Sequence, residues 1–291
     1  MQAAAEGRQG GKISFQGELG AYSHQACVEV FPDMQPMPCK TFEAALEAAR
    51  EGAADLAMMP IENSTYGRVA DLHRLLPNAG LYIIGEHFVP VTINLLGPPG
   101  AVLSEVKTAQ SHTVLLGQVS RFLAAHDILP VIGADTAGSA VQIAEAADPT
   151  RAALASPLAG ELNGLSVLAE GVQDMDNNTT RFLVMSRDEE RPAPAEGRIM
   201  TSFIFQVRNV PAALYKAMGG FATNKVNMVK LESYMVDGSF QATQFYAEIE
   251  GHPDDPGVAF ALEELEFFTK ALRILGVFER SEWRAANTPA G

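Results

Sequence analysis

Cysteine is scarce in this chain. Cys27 and Cys39 are the only two among 291 residues, with no Cys-x-x-Cys pair and no histidine at ligand spacing. The six histidines are likewise scattered, without the His-x-x-His or His-x-x-x-His spacing that favours a metal site. We therefore expect neither a disulfide framework nor a metal centre, and we interpret both thiols as reduced groups of a cytoplasmic protein.

Positive charge is also in short supply. Lysine and arginine total 21 against 35 aspartates and glutamates, so the formal net charge is −14. This balance, without any basic run, argues against a nucleic-acid-binding face. No stretch reaches the roughly 18 apolar residues that span a bilayer. The opening segment, MQAAAEGRQGGK, also lacks the apolar region of a secretory signal. We expect a cytoplasmic protein with no nucleic-acid or membrane partner.

Cofactor motifs are missing as well. The chain has no GxxxxGK[ST] phosphate loop and no GxSxG nucleophile elbow. Gly17 and Gly20 supply two glycines of a dinucleotide fingerprint, but the third is absent. We therefore expect chemistry without a cofactor or a metal, carried by hydroxyls, amides and one or two charges.

Apolar patterning divides the chain into two regions. Residues 187–198 (RDEERPAPAEGR) combine charges with two prolines and no apolar periodicity, which is typical of a linker. Before it, short apolar strands alternate with amphipathic helices, which predicts an α/β region with parallel sheets covered on both faces. After it, the pattern βαββαβ predicts a small α+β sandwich with one helical layer.

Individual elements follow from the same patterns. One helix is predicted over 113–127 and another over 255–275, with a last strand in 276–283. Asp237-Gly238 predicts a hairpin turn between two strands of the second region. The predicted division is 12–187, a linker at 188–198, and 199–283.

Polar loops adjoin three of the predicted strands: 60–67 and 109–113 follow strands, and 177–181 opens the last strand of the first region. Parallel α/β sheets bind ligands beyond the carboxyl ends of their strands. Each loop also has a plainer interpretation: Ser64 or Thr65 suits the N-cap of the next helix, Ser111 suits the cap of helix 113–127, and 177–181 suits a turn. Residues alone leave both interpretations open.

Taken together, five segments resemble the prephenate dehydratase family. They are FQGELGAYSHQA, PIENSTYG, SHTVLLGQ, NNTTRFLVM and the βαββαβ tail with KLES. The resemblance covers roughly residues 12–283. It implies a two-lobed, binding-protein-like catalytic region that closes around prephenate, followed by an ACT regulatory domain. The implied reaction is that of a lyase, which releases water and carbon dioxide and leaves phenylpyruvate.

The family motifs also assign residues. The Thr-Arg-Phe signature falls at 180–182, and it implies Thr180 as the catalytic hydroxyl donor. Implied substrate-binding residues are Glu62, Asn63, Ser64, Ser111, Gln118 and Arg181. Glu62 could serve as a proton source only if burial raises its pKa, and Arg181 is expected to anchor a carboxylate or the end of its strand.

Regulation is implied by the ACT resemblance, with two departures. The family's Glu-Ser-Arg-Pro appears as ESYM at 232–235, and its Gly-Ala-Leu-Val appears as AALY at 212–215. L-phenylalanine is the implied effector, and a homo-dimer or homo-tetramer through the ACT domain is expected. The implied effector-site residues are Ala212, Ala213, Leu214, Leu231, Glu232 and Ser233.

Two other functions stay open at this point. One is arogenate dehydratase, whose substrate has an amine in place of the ketone. The other is a non-catalytic amino-acid sensor built from the same lobes and the ACT domain.

Overall fold

Three β-sheets organise the computed structural model, which describes residues 10–175, 177–195, 197–208, 210–235 and 242–287. The strands are β1 (Lys12–Gln16), β2 (Gln35–Cys39), β3 (Leu56–Asn63), β4 (Gly67–Arg68), β5 (Tyr82–Pro90), β6 (Asn94–Gly97), β7 (Thr108–Ser111), β8 (Leu129–Ile132), β9 (Arg151–Ala155), β10 (Ser166–Ala169), β11 (Thr179–Ser186), β12 (Ile199–Val207), β13 (Met228–Met235), β14 (Ala242–Glu250) and β15 (Thr269–Glu279). The helices are α1 (Tyr22–Val30), α2 (Phe42–Glu51), α3 (Ala70–Leu75), α4 (Thr113–Gly117), α5 (Ser120–Ala125), α6 (Thr136–Ala146), α7 (Pro157–Leu162), α8 (Ala213–Thr223), α9 (Pro256–Phe268) and α10 (Glu282–Asn287).

Two of the sheets form the two lobes of an α/β region. The first lobe has the strand order β2-β1-β3-β11-β5, with β4 paired to β3, and the second has β10-β6-β9-β7-β8. The chain passes from the first lobe to the second through residues 91–93, which we call the outward crossing. It comes back through residues 170–178, the return crossing. Main-chain hydrogen bonds join the crossings, because Val91 donates to the Asn178 carbonyl and Val172 donates to the Ile93 carbonyl.

The expectation of parallel sheets is only partly right. β1 runs parallel to β2 and β3, and β7 runs parallel to β8 and β9. However, β11 is antiparallel to β3 and β5, and β6 is antiparallel to β9 and β10. The two crossings explain this, because β5 carries the chain out of the first lobe whereas β11 brings it back beside β5.

Local signals set the bounds of the helix α2. The Thr41 hydroxyl accepts the Ala44 N–H at 3.1 Å, which satisfies one of the free donors at the N-terminus. Gly52 ends the helix in the left-handed region, with φ of 87°, where a side chain would be strained. The buried face consists of Ala45, Leu46, Ala48 and Ala49.

The single helix expected over 113–127 is wrong, since α4 and α5 are separate. The Gln118 carbonyl accepts the Asp174 N–H at 2.6 Å instead of continuing the helix. The Asp174 carboxylate then caps α5, accepting from the Ser120 hydroxyl at 2.9 Å and the Arg121 N–H at 3.2 Å. A residue of the return crossing therefore breaks the helix and leaves Gln118 at the junction of the lobes.

The C-terminal unit, residues 199–279, confirms the predicted βαββαβ order. Its sheet has the order β13-β14-β12-β15, with antiparallel pairing throughout. The helix expected to extend to residue 275 is wrong, because α9 ends at Phe268 and β15 begins at Thr269 to pair with β12. The predicted turn at Asp237-Gly238 lies outside the described residues.

One face of the C-terminal sheet packs against α8 and α9, and the other packs against the first lobe. Gly276 shows how close the second contact is, because a Cβ at this position would lie 2.0 Å from the Ile83 carbonyl oxygen. The two units share one apolar core, which includes Leu183, Met200 and Phe278. No described residue between β11 and β12 lies in a helix or strand. No helix in the described ranges is long and apolar enough to cross a membrane.

Candidate active site

Asn63, at the end of β3, is fixed in orientation by its own loop. Its Oδ1 accepts the backbone N–H groups of Thr65 at 2.9 Å and Tyr66 at 3.0 Å. Its Nδ2 therefore faces the other way, where it donates to Thr180 Oγ1 at 3.0 Å. The antiparallel register brings the two side chains together, because Thr180 lies directly opposite Asn63 in the pairing of β11 with β3.

This contact determines what the Thr180 hydroxyl has left to offer. A threonine hydroxyl has one hydrogen and two lone pairs. Because the oxygen accepts from Asn63, the hydrogen can be directed at a further acceptor. Thr180 is half-buried at the mouth of β11, beside the return crossing. The arrangement suits a hydrogen-bond donor toward a ligand held between the lobes.

Asn178 and Gln118 extend the contact into the second lobe. Asn63 Nδ2 also donates to Asn178 Oδ1 at 2.7 Å, and Asn178 Nδ2 donates to Gln118 Oε1 at 2.6 Å. The family motifs assigned Gln118 but not Asn178, although Asn178 lies in the motif NNTTRFLVM. Both Asn63 and Asn178 therefore have places in a network of amide side chains.

Ser64 ties two of the polar loops to each other. Its hydroxyl donates to the Asn177 carbonyl at 2.6 Å and accepts the Thr179 N–H at 2.9 Å. The capping interpretation of Ser64 or Thr65 is wrong, because α3 begins after Val69 and has no side-chain cap.

Ser111 lies apart from this network. Its hydroxyl is fully buried and donates to the Leu154 carbonyl at 2.7 Å. The structure also contradicts the capping interpretation of Ser111, because the N-cap of α4 is His112, whose Nδ1 accepts from the Val114 N–H. Ser111 holds β7 to β9 and does not bring its hydroxyl to Thr180.

Arg181 anchors carboxylates, but they belong to the protein. Only 2% of its side chain is exposed. Its Nε donates to Glu86 at 2.7 Å, and its two terminal nitrogens bind both oxygens of Glu248 at 2.8 and 2.9 Å. Nη1 also donates to Glu62 at 2.9 Å. The assignment of Arg181 to substrate binding is therefore corrected, since its guanidinium joins β11 to the C-terminal unit.

Glu62 belongs to the same ionic cluster. Burial alone would raise the pKa of its carboxyl, but the charges of Arg181 and Lys230 outweigh burial and hold the pKa below its ordinary value. Glu62 is therefore an anion and does not meet the condition for a proton source. Arg284 completes the cluster, with bonds to Glu86 at 2.8 and 2.9 Å. Glu86, Glu248 and Arg284 are distant in sequence and lie in no quoted motif, whereas Lys230 opens the segment KLES but was assigned no role.

The expected effector-site residues occupy two places in the C-terminal unit. Ala212–Leu214 lies at the start of α8, and Leu231–Ser233 lies on β13, the edge strand. In the sheet, β14 separates β13 from β12, the strand that leads into α8. Leu231 is exposed, whereas the Glu232 carboxylate faces the first lobe and pairs with Arg68 at 3.3 Å.

Tyr234, which stands where the family has arginine, contacts His73 of the first lobe. The Tyr234 hydroxyl lies 2.5 Å from His73 Nδ1. Burial and, to a smaller extent, the charge of Lys230 lower the pKa of His73 to about 4, although the charges of Glu232 and Glu62 act in the opposite direction. His73 is therefore neutral at the junction of the first lobe and the C-terminal unit.

We expect this histidine to make the protein less stable in mild acid. Between its ordinary pKa of 6.5 and about 4, the unfolded state binds a proton that the folded state does not. The free energy of unfolding should therefore fall as the pH drops through this window, by roughly 3 kcal/mol at most. Urea unfolding from pH 7 to pH 4 should show a flatter profile for His73→Phe than for the wild type. Parallel profiles would contradict the assignment.

Comparison with known proteins agrees with this arrangement. The prephenate dehydratase family model matches residues 13–190. This chain belongs to the prephenate dehydratase family. A bifunctional N-acyl-homoserine lactone acylase/prephenate dehydratase of Komagataeibacter europaeus is 47% identical over 272 residues, covering 94% of this chain and 97% of that protein. Arogenate dehydratase/prephenate dehydratase 1, chloroplastic, of Arabidopsis thaliana is 35% identical over 281 residues, covering 92% of this chain and 71% of that protein.

A solved member of the prephenate dehydratase family supports the fold over almost the whole chain. The structure of prephenate dehydratase in complex with L-Phe from Arthrobacter aurescens superposes with a TM-score of 0.84 at 31% identity. The match covers 96% of this chain and 92% of that one. The family resemblance and the fold class are therefore confirmed.

Proposed function

We propose that this chain is a prephenate dehydratase, which converts prephenate to phenylpyruvate with loss of water and carbon dioxide in L-phenylalanine biosynthesis. The observation that carries the proposal is the hydroxyl of Thr180. It accepts a hydrogen bond from an immobilised Asn63 and keeps its own hydrogen for a departing oxygen. Dehydratase chemistry needs a donor at this position, because hydroxide is a poor leaving group.

The reaction assigns a definite task to this donor. As the ring carboxylate leaves as carbon dioxide, its bonding electrons enter the ring, and the ring C–O bond breaks with its electron pair on oxygen. One proton is taken up in making water, and the ring becomes aromatic. Thr180 donates to the oxygen as charge develops there, a form of assistance worth about 10² to 10⁴ in rate. The substrate itself supplies the driving force, so the proposed mechanism uses no cofactor.

Substrate binding in this proposal depends on local dipoles rather than on net charge. The surface charge of −14 opposes a dianion only weakly, because salt screens it within about 8 Å. Gln118 accepts from Asn178 through Oε1, so its Nε2 can donate to a substrate carboxylate. Arg181 is occupied by Glu62, Glu86 and Glu248 and takes no part in this contact.

Paired assays distinguish the proposed substrate from arogenate. Initial rates with each compound at equal concentration should favour prephenate, which yields phenylpyruvate, over arogenate, which yields phenylalanine. A higher kcat/KM for arogenate would reassign the chain to arogenate dehydratase. No product from either compound would leave the amino-acid sensor as the alternative.

Acylase activity is a second candidate, favoured by the 47% identity to the Komagataeibacter europaeus protein whose name pairs the two activities. Hydrolysis of an N-acyl-homoserine lactone at its amide would release homoserine lactone and a fatty acid. The same preparation should be incubated with short-chain and long-chain acyl lactones, beside Thr180→Val. Equal acylase rates in the two proteins would place that activity away from Thr180.

We further propose that the C-terminal unit is an ACT domain that binds L-phenylalanine between two copies of the chain. Within one chain, β14 lies between β13 and β12, the strand that precedes α8. A second copy could bring its Ala212–Leu214 segment to the exposed edge of Leu231 and Ser233. This arrangement requires at least a homo-dimer. A cytoplasmic location of the protein is part of the same proposal.

Ala212 offers a separate stability prediction. Its φ is 61°, in the left-handed region that favours glycine, and it stands where the family has glycine. We expect Ala212→Gly to raise the free energy of unfolding by about 1 kcal/mol, because removing Cβ relieves the strain. Ala213→Gly is the matched control and should lower it, by less than about 1 kcal/mol, since Ala213 is the first residue of the helix. A loss of stability in Ala212→Gly would contradict the assigned backbone conformation.

A further inference from the structure

Asn178 occupies the place where the two lobes meet. It is 4% exposed, its carbonyl accepts from Val91 of the outward crossing, and it lies on the return crossing itself. Its side chain joins Asn63 of the first lobe to Gln118 of the second. Among the described residues, it is the one whose side chain bonds directly to predicted site residues of both lobes.

Asn63, Asn178 and Gln118 form a series of hydrogen-bonded side-chain amides. The orientation of each amide follows from the orientation of the preceding one. Asn63 must direct Oδ1 at the N–H groups of Thr65 and Tyr66, because backbone amides only donate. Its Nδ2 then faces Asn178, which must present Oδ1 in return. The Nδ2 of Asn178 consequently faces Gln118, which must present Oε1 and turn its own Nε2 away.

We propose that Asn178 is a positioning residue. It determines which end of the Gln118 side-chain amide faces the substrate, and it also holds Asn63 in place against Thr180. This inference rests on the proposed function, since its value lies in aiming the Gln118 amide donor at a substrate carboxylate. Asn178 touches no reacting atom in this account. It acts through its two neighbours, and it does so at the hinge between the lobes.

Asn178→Asp tests the proposed orientation of the Gln118 amide, because it removes the donor at position 178 with almost no change in side-chain shape. A carboxylate can still accept from Asn63, but it cannot donate to Gln118 Oε1. Gln118 should therefore turn, donate to the new carboxylate through Nε2 and present its oxygen to the substrate carboxylate. We expect KM for prephenate to rise about tenfold or more, since a hydrogen bond to a charged group is lost.

A double-mutant cycle with Gln118→Ala separates this route from simple charge repulsion. If Asn178→Asp acts through Gln118, it should raise KM by less than about threefold in the Gln118→Ala background. A full tenfold rise in that background would overturn the proposal, because the new charge would then act directly on the substrate. Equal thermal unfolding midpoints should accompany the kinetics, so that the KM change is not a folding defect.

A measurement that does not depend on catalysis tests the role of Asn178 separately from the proposed dehydratase function. The side-chain amide signals of Gln118 in a ¹⁵N–¹H correlation spectrum report which atom Gln118 presents to position 178. They should move in Asn178→Asp even if the wild type proves inactive with prephenate, an outcome that defeats only the proposed function. Unchanged Gln118 signals in Asn178→Asp would overturn the orientation itself.

Discussion

Thr180→Val should lower kcat for prephenate by about 100-fold or more while leaving the fold intact. Valine keeps the branched shape but removes the hydroxyl that Asn63 supports at 3.0 Å. The unpaired Asn63 N–H should cost only about 1 kcal/mol of stability, because Asn63 is half-buried and keeps its bond to Asn178. Initial rates and urea unfolding on the same preparation measure both quantities.

Two further substitutions serve as controls for Thr180→Val. Thr180→Ser keeps a hydroxyl at the same atom and should retain much of the rate. Thr179→Val makes the same chemical change one residue earlier, where the side chain points to the other face of β11. Near wild-type turnover in a folded Thr180→Val protein would remove Thr180 from the mechanism, whatever the controls show.

Arg181→Met should lower the free energy of unfolding by about 3 to 5 kcal/mol. The substitution leaves the carboxylates of Glu86 and Glu248 buried at 0% side-chain exposure, and Arg284 is then the one cation paired with them among the described residues. Burial would raise the pKa of Glu248, but the charge of Arg181 holds it at about 2 in the intact cluster. Removing the guanidinium therefore leaves charges that the interior cannot solvate.

An exposed ion pair provides the matched control for Arg181. Arg191 pairs with Glu189 at 2.6 Å, but 44% of its side chain is exposed. Arg191→Met should change the free energy of unfolding by less than about 1 kcal/mol, because solvent screens such pairs. If Arg181→Met were as mild as Arg191→Met, the junction between β11 and the C-terminal unit would not depend on this cluster.

Local patterns were enough to place the loops that form the site. The turn residues around Asn63 and Thr180 mark where β3 ends and β11 begins, and the alternation of strands and helices predicts an α/β region. Its division into two lobes was implied by the family resemblance. The antiparallel entry of β11 was missed, because strand direction depends on the two crossings between lobes. The break between α4 and α5 was missed for a similar reason, since Asp174, far along the chain, caps the second helix.

The role of Arg181 shows what a short motif cannot reveal. Its position beside Thr180 suggested a contact with substrate. Its partners Glu248 and Glu86 are 67 and 95 residues away in sequence. Glu86 meets it because β5 pairs with β11, and Glu248 meets it because the C-terminal sheet packs on the first lobe. A buried cation satisfied by protein carboxylates has the same local sequence as one that awaits a ligand.

The most direct test of the account is the stoichiometry of products from prephenate with the wild-type protein. Carbon dioxide and phenylpyruvate should appear together in equal amounts, at a rate proportional to protein concentration and well above a protein-free blank. Thr180→Val at the same concentration should remain close to the blank. Carbon dioxide without phenylpyruvate, or no product from folded wild-type protein, would contradict the claim that this site performs a decarboxylating dehydration.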